Sequence, residues 1–202
     1  MLSAKTLSLT NHKCPAIINQ APGIPIVFLH GYSYTCEVWS KTEIIDILKE
    51  KQLPFLALDM PYGLRSRCKP KTRNTETNIA VIKEATQSTF GAVPPILVGA
   101  SLGGHIALNY AARLSVKALF LLAPVRTLQE ELTQAYSQFN FPVHIIIGSE
   151  DRIASAEELR ELAGKLPNGK LTVYEKAGHS AYLTFPERFR RDLLELYALI
   201  EQ

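Results

Sequence analysis

Long apolar runs are missing from this 202-residue sequence: stretches such as Ala118-Leu-Phe-Leu-Leu-Ala-Pro124 end well short of the roughly 18 residues that a membrane-spanning helix needs. No membrane association is expected. A basic start followed by an apolar run is also absent from Met1-Leu-Ser-Ala-Lys-Thr-Leu-Ser-Leu-Thr10, which argues against a secretory signal peptide and for a cytoplasmic chain. Cysteine is scarce. Cys14, Cys36 and Cys68 are odd in number and lack Cys-x-x-Cys spacing, so neither a disulfide framework nor a zinc site is expected, and free thiols in a reducing compartment are. Charge of one sign is nearly balanced, with a net +3, too little to force nucleic-acid binding through composition. Low-complexity tracts and fixed-period repeats are missing too, which excludes a flexible linker and a solenoid. A single domain spanning 1–202 is expected.

What is present reads as an ordinary globular chain, 47% hydrophobic and 20% charged. A chain of this size buries about 70% of its unfolded surface and needs no staple. From Ile24 onward, short β-rich apolar runs alternate with helical patterns, the signature of an α/β fold with a mostly parallel sheet. Strands are predicted at 26–29, 54–58, 96–98, 117–122, 143–147 and 170–174, each apolar enough for burial on both faces. Helices are predicted at 37–50, 76–90, 102–113, 127–138, 155–166 and 186–201. In the last of these, Phe189, Leu193, Leu196, Tyr197 and Ile200 recur at helical spacing. Runs at 5–9 and 14–18 suggest an antiparallel hairpin at the sheet edge, and residues 59–75, rich in Pro, Gly and basic residues, read as a surface loop.

Chemistry concentrates first at Gly99-Ala100-Ser101-Leu102-Gly103-Gly104, which follows a predicted strand and opens a predicted helix. A serine on such a sharp turn needs small residues two before and two after it, and Gly99 and Gly103 supply them. The turn lifts the Ser101 hydroxyl above the sheet and sets the Leu102 N–H at a helix N-terminus, where it can stabilise an oxyanion. A glycine-rich turn that merely starts a helix is the plain alternative.

A serine hydroxyl needs a base, and the base needs an orienting group. Past an apolar strand, Gly148-Ser149-Glu150-Asp151 offers two acids; Asp151 ranks ahead of Glu150, although either side chain would reach an imidazole from that loop. Past the final strand, Ala177-Gly178-His179-Ser180 offers His179 as base. Taken singly, these acids read as helix caps and this histidine as a turn residue. Taken together, the order Ser101, Asp151, His179 is that of an α/β-hydrolase triad and not of other serine-hydrolase folds. Tyr32, in His30-Gly31-Tyr32 after the first core strand, is the second candidate oxyanion donor through its N–H. Of the remaining histidines, His30, His105 and His144 read as packing or hydrogen-bonding residues, and His12 carries no signal.

With Phe28-Leu29-His30-Gly31-Tyr32, Gly99-Ala-Ser101-Leu-Gly103, Gly148-Ser-Glu-Asp151 and Gly178-His179 in order, the chain resembles the α/β-hydrolase superfamily from about residue 24 to 202. Thr35-Cys-Glu-Val-Trp39, Leu58-Asp-Met-Pro61 and Ala177-Gly-His-Ser-Ala-Tyr-Leu183 are similar to the small, lidless CIB-type abhydrolases. The resemblance implies Ser101 as nucleophile, His179 as base, Asp151 as acid and the Tyr32 and Leu102 amides as oxyanion hole, with no metal or organic cofactor. Between Pro124 and Phe141 there is room for one helix where lidded relatives insert several, so an open site suited to short acyl groups, or to an acyl group on an external carrier, is expected. Tyr34, Val125, Arg126 and Tyr182 are candidates to line it, whereas Trp39 reads as core and Cys36 lacks the geometry of a nucleophile.

Arg65, Arg67, Lys69, Lys71 and Arg73 form an alternating basic run on the active-site side of the sheet. It reads either as a plain solvated loop or as a patch that steers an anionic substrate. The expected function is hydrolysis of a short-chain ester or thioester, a small molecule, through an acyl-enzyme on Ser101. The alternatives are acyl transfer to an amine or thiol, and a binding protein of little turnover on the same fold. The sequence leaves the oligomeric state open.

Overall fold

The computed structural model describes residues 4–201. Strands β1 (Lys5–Ser8) and β2 (Lys13–Asn19) form the expected antiparallel hairpin at one sheet edge. The other strands, β3 (Ile26–Leu29), β4 (Phe55–Leu58), β5 (Ile96–Ala100), β6 (Ala118–Leu122), β7 (Val143–Gly148) and β8 (Gly169–Tyr174), run parallel in the order β1-β2-β4-β3-β5-β6-β7-β8. That order reverses at β3, whose neighbours are β4 and β5, so a crevice opens beyond the carboxyl ends of β3 and β5. Register matters here. Leu29 is paired with Gly99, so His30-Gly31-Tyr32 and Ala100-Ser101 leave the sheet at the same level.

Alternation along β3 sends Val27 and Leu29 to one face and Ile26 and Phe28 to the other. On the first face lie helices α2 (Thr75–Phe90), α3 (Leu102–Ala111), α4 (Glu130–Ala135) and α5 (Ala156–Lys165), which bury Ile82, Ile106, Leu132 and Leu159. On the second lie α1 (Ile44–Glu50), α6 (Ala181–Thr184) and α7 (Pro186–Ile200), with Trp39 stacked between Phe28 and Tyr182 at 5.1 and 5.4 Å.

Several expectations are corrected. The helix expected at 37–50 is a 3₁₀ segment, Cys36–Thr42, followed by α1, because Glu43 adopts φ 58° between them. Arg190 fixes that corner, donating to Thr42 O at 3.0 Å and Glu43 Oε2 at 2.8 Å. The helix expected at 127–138 starts only at Glu130, since Glu158 holds the Thr127 N–H and hydroxyl at 2.9 and 2.6 Å. Strand β8 is an edge strand and half-exposed, not buried on both faces. The loop from Asp59 is only partly a surface loop: Asp59, Met60, Tyr62, Ser66 and Cys68 are buried, Arg65 and Arg67 point outward between them, and Lys69, Lys71 and Arg73 are exposed beyond them. Finally, Cys14 and Cys68 are joined as a disulfide, against the expectation of free thiols. Mutual hydrogen bonds between Lys13 and Lys69 of 2.8 and 3.0 Å lay the loop along β2 and bring the two sulfurs together. Among the described residues, no helix is long and apolar enough to cross a membrane.

His144 gives a pH-dependent stability. Its ring is buried on β7, 2.8 Å from Thr172 Oγ1 and edge-on to Phe120. Burial, reinforced by Lys170 and opposed by Asp192, pushes its pKa down to about 4. An unfolded histidine titrates near 6.5, so between the two values the unfolded chain holds the extra proton and stability falls as pH drops. Urea denaturation at about pH 7.5 and about pH 5 should show the wild type losing about 1–2 kcal/mol more than His144→Gln. Equal losses would contradict this origin.

Candidate active site

Ser101 sits between β5 and α3 with φ 52° and ψ −113°, a strained turn held by its N–H donating to Leu122 O at 2.8 Å. The flanking glycines are required by close approach. A Cβ at Gly103 would overlap the Leu29 and His30 carbonyls, and one at Gly99 would come within 2.6 Å of Gly103 O. The start of α3 is thereby pressed against the loop after β3.

The structure brings Ser101, His179 and Asp151 into one hydrogen-bonded chain. Ser101 Oγ is 2.9 Å from His179 Nε2, and His179 Nδ1 is 2.9 Å from Asp151 Oδ2 and 3.1 Å from Oδ1. That arrangement makes Nδ1–H the donor to the carboxylate and leaves Nε2 free to accept the serine proton. The Asp151 side chain is fully buried, and its Oδ1 also accepts the N–H groups of Ile153 and Ala154 at 2.8 and 3.0 Å. Those two amides compensate the buried charge. Glu150, the other acid considered, is exposed, and its backbone N–H donates to Ala177 O at 2.9 Å, tying the acid loop to the histidine loop.

Tyr32 lines the same cavity as Ser101, and Leu102 follows the serine in the chain. Leu102 opens α3, where the first N–H groups have no intrahelical acceptor. The Tyr32 N–H finds no backbone acceptor among the described residues. Behind Tyr32, buried His30 fixes the loop: its Nδ1 is 2.8 Å from Gly31 O, its Nε2 accepts the Met60 N–H at 2.9 Å, and Asp59 Oδ1 lies 3.1 Å away. Tyr62 adds a hydrogen bond of 2.6 Å to His30 O. Sequence spacing shows His30 as a turn residue; its partner Asp59 comes from the end of the neighbouring strand.

A cavity of about 240 Å³ opens beside Ser101, lined by Tyr32, Tyr34, Leu122, Ile153, Ser180 and Tyr182, among others. Tyr34 and Tyr182 both stand on its wall. Val125 and Arg126 do not. Val125 packs against the core, and Arg126, at φ 56°, turns to a surface depression beside Ser155 and Glu158. The left-handed turn after β6 redirects them. Ile153 and Ser180 were not anticipated, although each stands within two residues of an expected site residue. Buried Cys36 is unsuited to attack: burial first, then Asp59 and Glu37, pushes its thiol up to about 12. Among the described residues, no group of three or more His, Cys, Asp or Glu is placed to hold a metal.

Of the basic run, Arg67 is paired with Glu37 at 2.6 Å, and Arg73 donates to Tyr32 Oη at 2.7 Å with its guanidinium over the ring. Lys71 caps the Gly63 and Leu64 carbonyls. The loop thus buttresses Tyr32 directly.

Residues 24–139 match the family described as alpha/beta hydrolase fold. Human Protein ABHD14A is 30% identical over 184 residues, covering 88% of this chain and 65% of that protein. Rat ABHD14B, whose name carries a provisional protein-lysine deacylase assignment, is 26% identical over 188 residues, covering 87% of this chain and 84% of its own. A CIB-like hydrolase from Thermoplasma acidophilum superposes with a TM-score of 0.85 at 19% identity, over 100% of this chain and 99% of that one. The chain thus spans somewhat under two thirds of the length of the human relative.

Proposed function

This chain belongs to the alpha/beta hydrolase fold family, and from that premise we propose that it is a serine hydrolase acting on short acyl esters or thioesters. The observation that carries the reading is the unbroken chain from Ser101 Oγ through His179 to buried Asp151, on a turn strained to φ 52°. In this reading His179 Nε2 takes the serine proton as Oγ attacks the acyl carbon. The developing oxyanion lies between the Tyr32 and Leu102 amides, and Asp151 stabilises the imidazolium. His179 returns the proton to the leaving group, then activates water to release the acid. No step calls on a metal or an organic cofactor.

The small cavity beside an uncovered serine supports a short acyl group inside and its carrier outside. The name of the rat relative points to acyl-lysine; the same acyl-enzyme would form with an amine as leaving group, and an open mouth equally admits an amine or thiol as acceptor. Arg65 and Lys69, exposed on the loop that supports Tyr32, favour an anionic carrier.

Kinetics on aryl esters of increasing acyl length test this reading. An initial burst of phenol equal to the enzyme concentration is expected. Turnover should fall about tenfold or more between four- and ten-carbon acyl groups, as the longer chains outgrow the cavity. The double variant Arg65→Glu, Lys69→Glu should lower kcat/KM about threefold or more for an anionic ester relative to a neutral one at low salt. Turnover independent of chain length would contradict the cavity assignment, and equal effects on both esters would remove the steering role.

A further inference from the structure

The wall of the catalytic cavity is apolar at depth and apolar again at its rim. Ala100, Leu122 and Tyr182 are buried, whereas Ile153, on the same wall, is 68% exposed and stands at the mouth. Its place is imposed. The Ile153 and Ala154 N–H groups both donate to Asp151 Oδ1, at 2.8 and 3.0 Å, and Ala154 is buried, so the isoleucine cannot withdraw without loosening the acid of the triad. On the loop that supports Tyr32, Leu64 is 61% exposed, and its N–H donates to Tyr32 O at 2.7 Å. Single exposed aliphatics are common on protein surfaces, but the two most exposed large apolar side chains among the described residues both belong to loops of this site. Each has an exposed arginine next to it in the chain, Arg152 before Ile153 and Arg65 after Leu64, and unlike Arg67 neither forms an ion pair among the described residues.

Resting on the serine-hydrolase reading, we propose that Ile153 is a specificity-determining residue for the leaving group. The class it selects is an alcohol or thiol carrier with an apolar segment next to the acyl bond and an anionic group beyond that segment. With the acyl chain inside the cavity, the part of the substrate that crosses the rim is the carrier. It departs past His179, which returns its proton and whose carboxylate partner anchors Ile153. Apolar surface that is already exposed and fixed sheds water without reorganisation when such a segment covers it, and a polar segment gains nothing there. Leu64 offers a second such surface beside Tyr32, and Arg152 and Arg65 attract the anionic end. The acyl-enzyme chemistry is unchanged; only the departing group is chosen.

Three butanoate esters in true solution test the inference: the ethyl ester, the hexyl ester and the ester of 6-hydroxyhexanoate. Each kcat/KM is divided by the rate of that ester with hydroxide, which removes intrinsic reactivity. The wild type should favour hexyl over ethyl by about fivefold or more, and a smaller preference overturns the inference. In Ile153→Ser, which keeps the N–H bond to Asp151, the preference should shrink to within about twofold, and Ile153→Leu should restore it. At low salt, Arg152→Glu should lower the ratio of the 6-hydroxyhexanoate ester to the hexyl ester by about threefold or more. A hexyl preference that persists unchanged in Ile153→Ser overturns the assignment to Ile153. So does an effect of that variant on acyl length alone, which would put the side chain against the acyl group. An unchanged ratio in Arg152→Glu overturns the anionic end. Binding to phosphatidylserine vesicles without any selection among the dissolved esters overturns the inference in favour of a lipid surface. No turnover of any of the three overturns it as well; where Ser101 is also inert to a fluorophosphonate, the hydrolase reading falls with it.

Discussion

Replacing Ser101 with alanine should leave the fold intact and lower kcat on a short-chain ester by about 10⁴- to 10⁶-fold. Alanine keeps the backbone hydrogen bond from residue 101 to Leu122 O and meets the same φ of 52°, so only the hydroxyl facing His179 is lost. The Tyr32 and Leu102 amides remain, which leaves a small residual acceleration from polarisation alone. Paired measurements of kcat and of thermal unfolding separate chemistry from folding. Retention of more than about a tenth of the wild-type rate would place the nucleophile elsewhere.

The second large effect is expected at a residue that touches no substrate. Gly148 ends β7, and a Cβ there would overlap the Ala177 and Gly178 carbonyls, the backbone that delivers His179. Because both neighbours are backbone, Gly148→Ala must push the acid loop and the histidine loop apart. The bonds from Asp151 to His179, 2.9 and 3.1 Å, and from Glu150 N to Ala177 O, 2.9 Å, bridge that junction. A displacement approaching 1 Å between such loops costs about 100-fold in rate, and overpacking costs about 1–3 kcal/mol in stability. The control is Gly164→Ala in α5, where a Cβ meets nothing within 4 Å and stability should rise by up to about 1 kcal/mol. Wild-type kinetics in Gly148→Ala would show that the two loops are not held in register at this point.

Local signals account for what the sequence revealed. Strand-turn-helix order and the glycines at 99 and 103 disclose the turn at Ser101, because close packing there is imposed by neighbours in the chain. Likewise, acid and histidine both follow apolar strands, and a parallel sheet carries the ends of such strands to one side. What stayed hidden depends on contacts between distant segments. Cys14 and Cys68 meet only because residue 69 pairs with residue 13, and His30 finds Asp59 only because β3 and β4 are neighbours. Val125 and Arg126 were misplaced because the chain after β6 turns through left-handed residues at Ala123 and Arg126, which composition does not signal. The four-residue α6, capped by Phe185 before Pro186, is too short for periodicity to register.

The assembled triad itself is tested most directly by reacting the folded protein with a fluorophosphonate and mapping the modified peptide by mass spectrometry. The geometry predicts one stoichiometric adduct on Ser101, since only a serine whose proton is accepted by a poised imidazole reacts at neutral pH. A folded wild-type protein that remains unmodified, or is modified at another serine, would contradict it.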